Sequence, residues 1–306
     1  MTPFEVIVPC STSNLGAGFD AIGIALGGPS VRVRWSPSDA SLRIVELRGE
    51  GATTLPKDAT NRLLVAAHKA AVFAGRDPAD LEGDLTVETT IPLSRGLGSS
   101  ASSAVAGAML ADELLGNPLG LPGVLAVAVG MEGHPDNVVP TMFGGAQVAI
   151  RDSFGAVKTC PIRTIGRLYA ALFIPDQPLA TSEARAVLPK EVSMADAVHN
   201  LGRAALFVAA LGQGRLDLIA DAMADKLHQP ARTKLMPWLP ALIAAAKGAG
   251  AHGAALSGAG TTVFALCSQP QAAGVAAAME KAAAGLGVNG RSMAVEAAVG
   301  GAKVIR

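Results

Sequence analysis

Two short stretches concentrate groups suited to phosphate and proton chemistry. The first is Pro92-Leu93-Ser94-Arg95-Gly96-Leu97-Gly98-Ser99-Ser100-Ala101-Ser102-Ser103. Gly96 and Gly98 permit positive φ and let a ligand approach the backbone. Leu85 to Ile91 alternates and is rich in β-branched residues, so it reads as a strand leading in. Ser99 to Leu115 reads as a helix leading out, with Ala104, Ala108, Ala111 and Leu115 on one face. Ser99 or Ser100 suits its N-cap. The first turn of such a helix offers unpaired N–H groups and the positive end of a dipole, a seat for an anion and best for phosphate. The small side chains from Ser99 to Ala104 leave room for something bulky. A glycine turn before an ordinary capped helix is the alternative. The second stretch, Glu132-Gly133-His134-Pro135-Asp136-Asn137, puts two carboxylates, an imidazole and an amide within six residues at a turn fixed by proline. A solvated polar loop is the alternative there.

Other stretches carry weaker signals. Gly16-x-Gly18-x-x-Ala21 superficially fits a dinucleotide fingerprint, but no helix and second acidic strand end follow it. Asn14 and Asp20, in Asn14-Leu15-Gly16-Ala17-Gly18-Phe19-Asp20, suit turn chemistry on their own. Asn61 suits a helix cap before Arg62 to Ala74. Arg185 and Arg232, taken alone, suit surface ion pairs. The dipeptide Gly-Lys is absent, which excludes the Walker A loop. Strands are also expected at Phe4–Val8, Val31–Trp35, Leu42–Leu47, up to Ile150, at Leu168–Ile174 and at Met293–Ile305. Further helices are expected at Val124–Met131, Met194–Leu211, Leu216–Leu227 and Ala241–Lys247.

The 306 residues are half apolar with a formal net charge of zero, so no field favours nucleic acid or an anionic membrane. Cys10, Cys160 and Cys267 make no metal spacing and read as reduced thiols of a cytoplasmic protein. The start, with Glu5 and no basic residue, does not read as a signal peptide. No apolar run approaches the ~20 residues that span a bilayer.

Residues 92–101 resemble the phosphate loop of the GHMP kinase superfamily, Pro-x-x-x-Gly-Leu-Gly-Ser-Ser-Ala, throughout. Leu256-Ser257-Gly258-Ala259-Gly260-Thr261 resembles that superfamily's third motif, with Thr261 where many relatives carry proline. The Glu132–Asn137 turn and the Asn14–Asp20 segment resemble those of its homoserine kinase branch. The resemblance implies an α+β fold of two domains, a mixed-sheet first domain over residues 1–152 and a ferredoxin-like second over 153–306. The last strand is expected to return to the first domain. It implies ATP and Mg²⁺ as cofactors, with ATP held by residues 92–102 and Asn61 beside the base. Ser100 and Glu132 are the implied metal ligands. Asn14, Asp20, His134, Asn137, Thr181, Arg185 and Arg232 are the implied substrate residues, and Ser100, Glu132, Asp136 and Asn137 the implied catalytic set.

The implied activity is ATP-dependent phosphorylation of L-homoserine to O-phospho-L-homoserine in threonine biosynthesis. Asp20 would pair the ammonium, and Arg185 and Arg232 the carboxylate. Asp136 is the candidate general base, against the alternative that positioning suffices. A kinase for another small alcohol and a non-catalytic ligand sensor are the rival readings. The chain is expected to act as a monomer or a homodimer.

Overall fold

The computed structural model describes residues 2–306. In chain order, the first half comprises β1 (Phe4–Asn14), β2 (Gly18–Ser41), β3 (Arg43–Gly49), α1 (Arg62–Phe73), β4 (Glu82–Thr89), α2 (Ser99–Leu114), α3 (Gly120–Glu132), α4 (Val138–Phe143), β5 (Ala146–Arg151) and β6 (Val157–Ile162). The second comprises β7 (Leu168–Pro175), α5 (Thr181–Ala186), α6 (Met194–Gln213), α7 (Ile219–Ala222), α8 (Gln229–Arg232), α9 (Leu239–Gly248), β8 (Gly253–Leu256), β9 (Val263–Cys267), α10 (Gln269–Gly285), β10 (Gly290–Ala297) and β11 (Lys303–Ile305).

The long strand β2 ties these together. It pairs antiparallel with β1, and beyond that with β4 through Val31–Ser36 and with β5 through Ile22–Ile24. The change of partner falls where the register against β1 jumps from Pro9↔Ser30 to Cys10↔Leu26, so Gly27, Gly28 and Pro29 bulge out. Such a bulge bends a strand without ending it, which is why the strand expected over Val31–Trp35 extends back to Gly18. β3 runs parallel to β4, making the sheet mixed. In the second half β7, β8, β9 and β10 form an antiparallel order β10-β7-β9-β8, with α9 and α10 packed on it over Phe173, Leu242, Val263, Val275 and Met279. The two halves meet in one continuous sheet where β10 pairs β2 at Ala297↔Leu26 and where β11 returns to β1.

The expected strand over Met293–Ile305 is two strands. Gly290–Ala297 stays with β7, and Lys303–Ile305 crosses back to lie beside β1. The expected domain change at 152/153 falls inside the β5–β6 hairpin. The helix expected over Leu216–Leu227 is a 3-10 turn followed by α7, which ends at Ala222. Helix α10 is a feature the periodicity did not single out.

Helix α2 lies at the centre of the first core. Ala101, Ala104, Val105, Ala108, Leu110 and Ala111 are fully buried. Small residues let α1 and α2 come unusually close: a Cβ at Gly107 would stand 2.1 Å from the Leu63 carbonyl oxygen. That packing fixes the start of α2, and the loop before it, relative to α1.

Candidate active site

The phosphate-loop stretch is held by its carbonyls. Ser94 O accepts from Leu179 N (3.0 Å), Arg95 O from Thr262 N (3.1 Å), Gly96 O from Ser257 Oγ (2.7 Å) and Leu97 O from Ser11 N (3.2 Å). The C=O of one residue and the N–H of the next point opposite ways across a planar trans peptide. The N–H groups of Gly96, Leu97 and Gly98 therefore point away from these anchors. Gly96 and Gly98 have φ of +74° and +70°, as the sequence leads one to expect. The close approach at these glycines is made by protein atoms: a Cβ on Gly96 would meet Ser257 O at 2.1 Å, and one on Gly98 would meet Ser11 Oγ at 2.4 Å. The N-cap of α2 is Gly98, with no side-chain capping bond, instead of Ser99 or Ser100. Its first helical bond is Ser102 N–H to Gly98 C=O, 2.8 Å. The N–H groups of Ser99, Ser100 and Ala101 are thus left for an anion.

A cleft of about 290 Å³ opens over this helix start. Pro92, Ser94, Arg95, Gly96, Leu97, Gly98, Ser99 and Ser100 line one side. Asn14, Asp20, Glu132, His134, Asp136, Asn137, Thr181, Arg185 and Arg232 line the rest. Residues implied from five separate segments therefore share one cavity. Leu93 faces a neighbouring cavity, Ala101 is buried, and Ser102 is buried with its Oγ donating to Pro9 O at 2.9 Å. Asn61 caps α1: its Oδ1 accepts from Leu63 N (3.0 Å) and its Nδ2 donates to Pro56 O (2.6 Å).

Helix α3 places the acidic group. It stops at Gly133, which takes φ +84° as a left-handed C-terminal residue. Glu132 is left as the last helical residue, facing the start of α2. Ser100 Oγ donates to Glu132 Oε1 at 2.6 Å, so the two implied metal ligands are in contact. Arg62, which the sequence reading passed over, also donates to Oε1 and to Met131 O.

The turn after α3 is internally braced. His134 Nδ1 lies 2.5 Å from Asp136 Oδ1, which also accepts from Asn137 N at 3.0 Å. Asp136 is fully buried. Burial works against its charge, but the bond to His134 and the imidazole's charge outweigh it and hold the carboxyl below its ordinary range. For His134, burial likewise opposes charge, and the Asp136 carboxylate overcomes it and raises the imidazole's pKa. Asn137 donates through Nδ2 to Ser13 Oγ (2.8 Å) and accepts at Oδ1 from Ser11 Oγ (3.0 Å), joining the turn to β1. Asn14 and Asp20 both have left-handed backbones. Asn14 Oδ1 accepts from Asp20 N (2.9 Å), and its Nδ2 donates to Gly258 O (2.8 Å). The amide of Asn14 is thus spent on shaping the loop that presents Asp20.

The charged groups at the far end of the cleft are arranged otherwise than the one-residue-one-charge reading implies. Arg185 forks onto Asp20, Nη1 to Oδ2 at 3.0 Å and Nη2 to Oδ1 at 2.7 Å. Arg232 is buried. It donates Nε to Ala184 O (3.2 Å) and Nη1 to Gly258 O (3.0 Å) and to His228 Nδ1 (3.0 Å). Among the described residues it has no carboxylate within ion-pair distance and its Nη2 has no protein acceptor. Burial, then the nearby Arg185, pull its pKa down to about 10. Phe19 lies beneath both guanidiniums, 5.6 Å from Arg185 and 5.5 Å from Arg232, and stacks on His228. His228 Nε2 faces Gly16 O at 2.9 Å. With Nδ1 accepting from Arg232, the ring is neutral, and burial lowers its pKa. Phe19 lies in the Asn14–Asp20 segment with no role implied for it there, and His228 has no motif to mark it; their place at the guanidiniums is visible only when the chain is folded.

Residues 61–145 match the GHMP kinases N terminal domain and residues 207–285 the GHMP kinases C terminal domain. A homoserine kinase of Deinococcus radiodurans is 46% identical over 88% of this chain and 85% of its own. One of Trichormus variabilis is 40% identical over 95% and 96%. The crystal structure of homoserine kinase from Cytophaga hutchinsonii superimposes with a TM-score of 0.86 at 31% identity, covering 100% of this chain and 98% of that one. Fold and phosphate loop together define a small-molecule kinase. The chain belongs to the homoserine kinase family of the GHMP kinases.

Proposed function

We infer that this chain transfers the γ-phosphoryl group of ATP to the terminal hydroxyl of L-homoserine, giving O-phospho-L-homoserine and ADP on the way to threonine. The observation that carries the amino-acid part is Arg232, a buried guanidinium with an open Nη2 and no carboxylate partner among the described residues. A buried charge left unpaired is costly, and a substrate carboxylate supplies the missing partner. An amino acid brings both charges at once. Its carboxylate and ammonium can take up Arg185 and Asp20 respectively, so opening that internal pair strands neither group.

Chemistry on phosphate asks for positioning and charge neutralisation more than for covalent help. The amides of residues 96–101 seat the polyphosphate. Glu132 and the Ser100 hydroxyl are hard oxygen donors, few in number, and Glu132 Oε2 has no protein donor among the described residues. This set fits Mg²⁺, which keeps most of its shell for water and phosphate. When bound, the ion neutralises charge on the transferring group. Asp136 is a poor proton acceptor, because the bond to His134 and the imidazole's charge outweigh burial and hold its carboxyl below the ordinary range. We assign it to bracing His134 and Asn137 against the substrate, with the hydroxyl proton leaving to the phosphate itself.

An ADP-release assay with homoserine, serine, threonine, mevalonate and galactose tests the reading. Homoserine should be turned over best. Faster turnover of another alcohol would move the chain to a different kinase activity, and binding of ATP and homoserine with no ADP formed would make it a sensor. Arg232→Met should raise the homoserine requirement about ten- to a hundredfold, the scale of a charge-assisted bond, and spare ATP.

A further inference from the structure

The proposed metal seat already holds a cation. Arg62 Nη2 donates to Glu132 Oε1 and, at 3.1 Å, to Met131 O, and Nε approaches Ser100 O at 3.4 Å. Its side chain is partly exposed and lines the cleft, whereas that of Glu132 is 9% exposed. Arg62 is also the first residue of α1, whose first turn contains no acidic residue. A cation there sits at the positive end of its own helix dipole, an unfavourable place. The cost is offset by what it reaches: the carboxylate of Glu132 and the Met131 carbonyl in the last turn of α3. Both its bond and that of Ser100 Oγ fall on Oε1.

We propose that Arg62 is the resident counter-cation of the metal seat. It neutralises Glu132 and holds it against Ser100 while the site is empty, and releases the carboxylate to a divalent ion arriving with nucleotide. The inference rests on the assignment of Glu132 as a metal ligand. Free divalent ions must displace the guanidinium, so the seat discriminates against a bare ion and favours one that comes with the phosphates. Their negative charge then gives Arg62 a new partner. A fixed positive charge beside Glu132 is what an isolated cation site lacks.

The test is binding of Mn²⁺ alone, without nucleotide, followed by electron paramagnetic resonance on the wild type, Arg62→Met, Arg62→Lys and the double variant Arg62→Met with Glu132→Gln. Thermal unfolding is recorded for each. Arg62→Met should bind Mn²⁺ about fivefold tighter, the upper end for a part-exposed ion pair. Arg62→Lys should stay near the wild type, and Glu132→Gln should abolish the gain. Unchanged or weaker Mn²⁺ binding by a folded Arg62→Met overturns the proposal. With a lowered melting temperature it would make Arg62 a plain cap on α3, and with weakened ATP binding a nucleotide contact. A gain that survives Glu132→Gln places the ion elsewhere and overturns it too. The measurement involves no turnover, so a chain that proves inactive on homoserine leaves its outcome readable.

Discussion

Asp136 and His134 form an ion pair inside the cleft, and its two members titrate in opposite directions. The carboxyl is held below its usual 3.8, so its stabilising share is complete above that value and is lost as pH falls through the lowered pKa. The imidazole is held above its usual 6.5, so its share is complete below that value and is lost as pH rises through the raised pKa. The pair therefore supports the fold most between those two ordinary values. The melting temperature of wild type should exceed that of His134→Asn by a constant margin in that window, and the margin should shrink as pH rises through the imidazole's raised pKa. A margin that grows with pH would mean that the histidine is not the charged partner. The same pair bears on catalysis. A true general base contributes ~10²–10⁴-fold, whereas a carboxylate already committed to an imidazolium and to Asn137 N has little affinity for a proton. Asp136→Asn should keep turnover within about tenfold while lowering stability. A loss beyond a thousandfold in a folded variant that binds both substrates would make Asp136 the base.

At the scale of elements, the start of α2 is built by backbone, and the side chains of Ser99 and Ser100 have no part in capping it. Gly98 holds a left-handed φ with Ser11 Oγ and Asn137 Oδ1 crowded against it, so a side chain there is strained and unaccommodated. Gly98→Ala should cost ~1–3 kcal/mol of stability, the scale of a strained backbone residue, measured by denaturant unfolding. Ser99→Ala should change stability by less than about 0.5 kcal/mol, where a real N-cap would cost ~1. This is also where the sequence was most legible. Glycine φ and helix period are local, and they read through. What did not read through depends on partners far along the chain. Arg62 meets Glu132 across 70 positions, and Phe19 and Arg232 come together only through the second half. Helix α10 escaped because its buried face, Ala272, Val275, Ala276, Met279 and Ala283, is mostly alanine. Alanine marks a helix face weakly. The strand in β2 was hidden by Gly27, Gly28 and Pro29, whose bulge looks like a terminator in sequence and is a bend in the sheet.

At the scale of the whole molecule, the phosphate loop belongs in sequence to the first half and is gripped by the second. Arg95, which the family resemblance places among nucleotide-binding residues, turns its fork to protein carbonyls: Nε to Pro175 O at 2.8 Å, Nη1 to Leu93 O at 2.7 Å and Nη2 to Asp176 O. Pro175 ends β7, so this side chain clasps the loop to the sheet of the second half. The backbone N–H groups of Leu179 and Thr262 and the Ser257 hydroxyl reach the loop's carbonyls the same way. The loop's amides can face phosphate because its carbonyls are committed elsewhere, and Arg95, with the Ser257 hydroxyl, holds the two halves in that register. Arg95→Met should thus lower the melting temperature and weaken ATP binding about tenfold or more, and leave homoserine affinity unchanged, since Asp20, Arg185 and Arg232 are held by other contacts. Arg95→Lys should recover only part of this, because one ammonium does not reproduce a planar fork reaching three acceptors. Calorimetric binding of ATP and of homoserine, set beside thermal unfolding, separates this role from direct phosphate contact. In the latter case Arg95→Met would lose ATP affinity with its melting temperature intact, and the clasp would have to be abandoned.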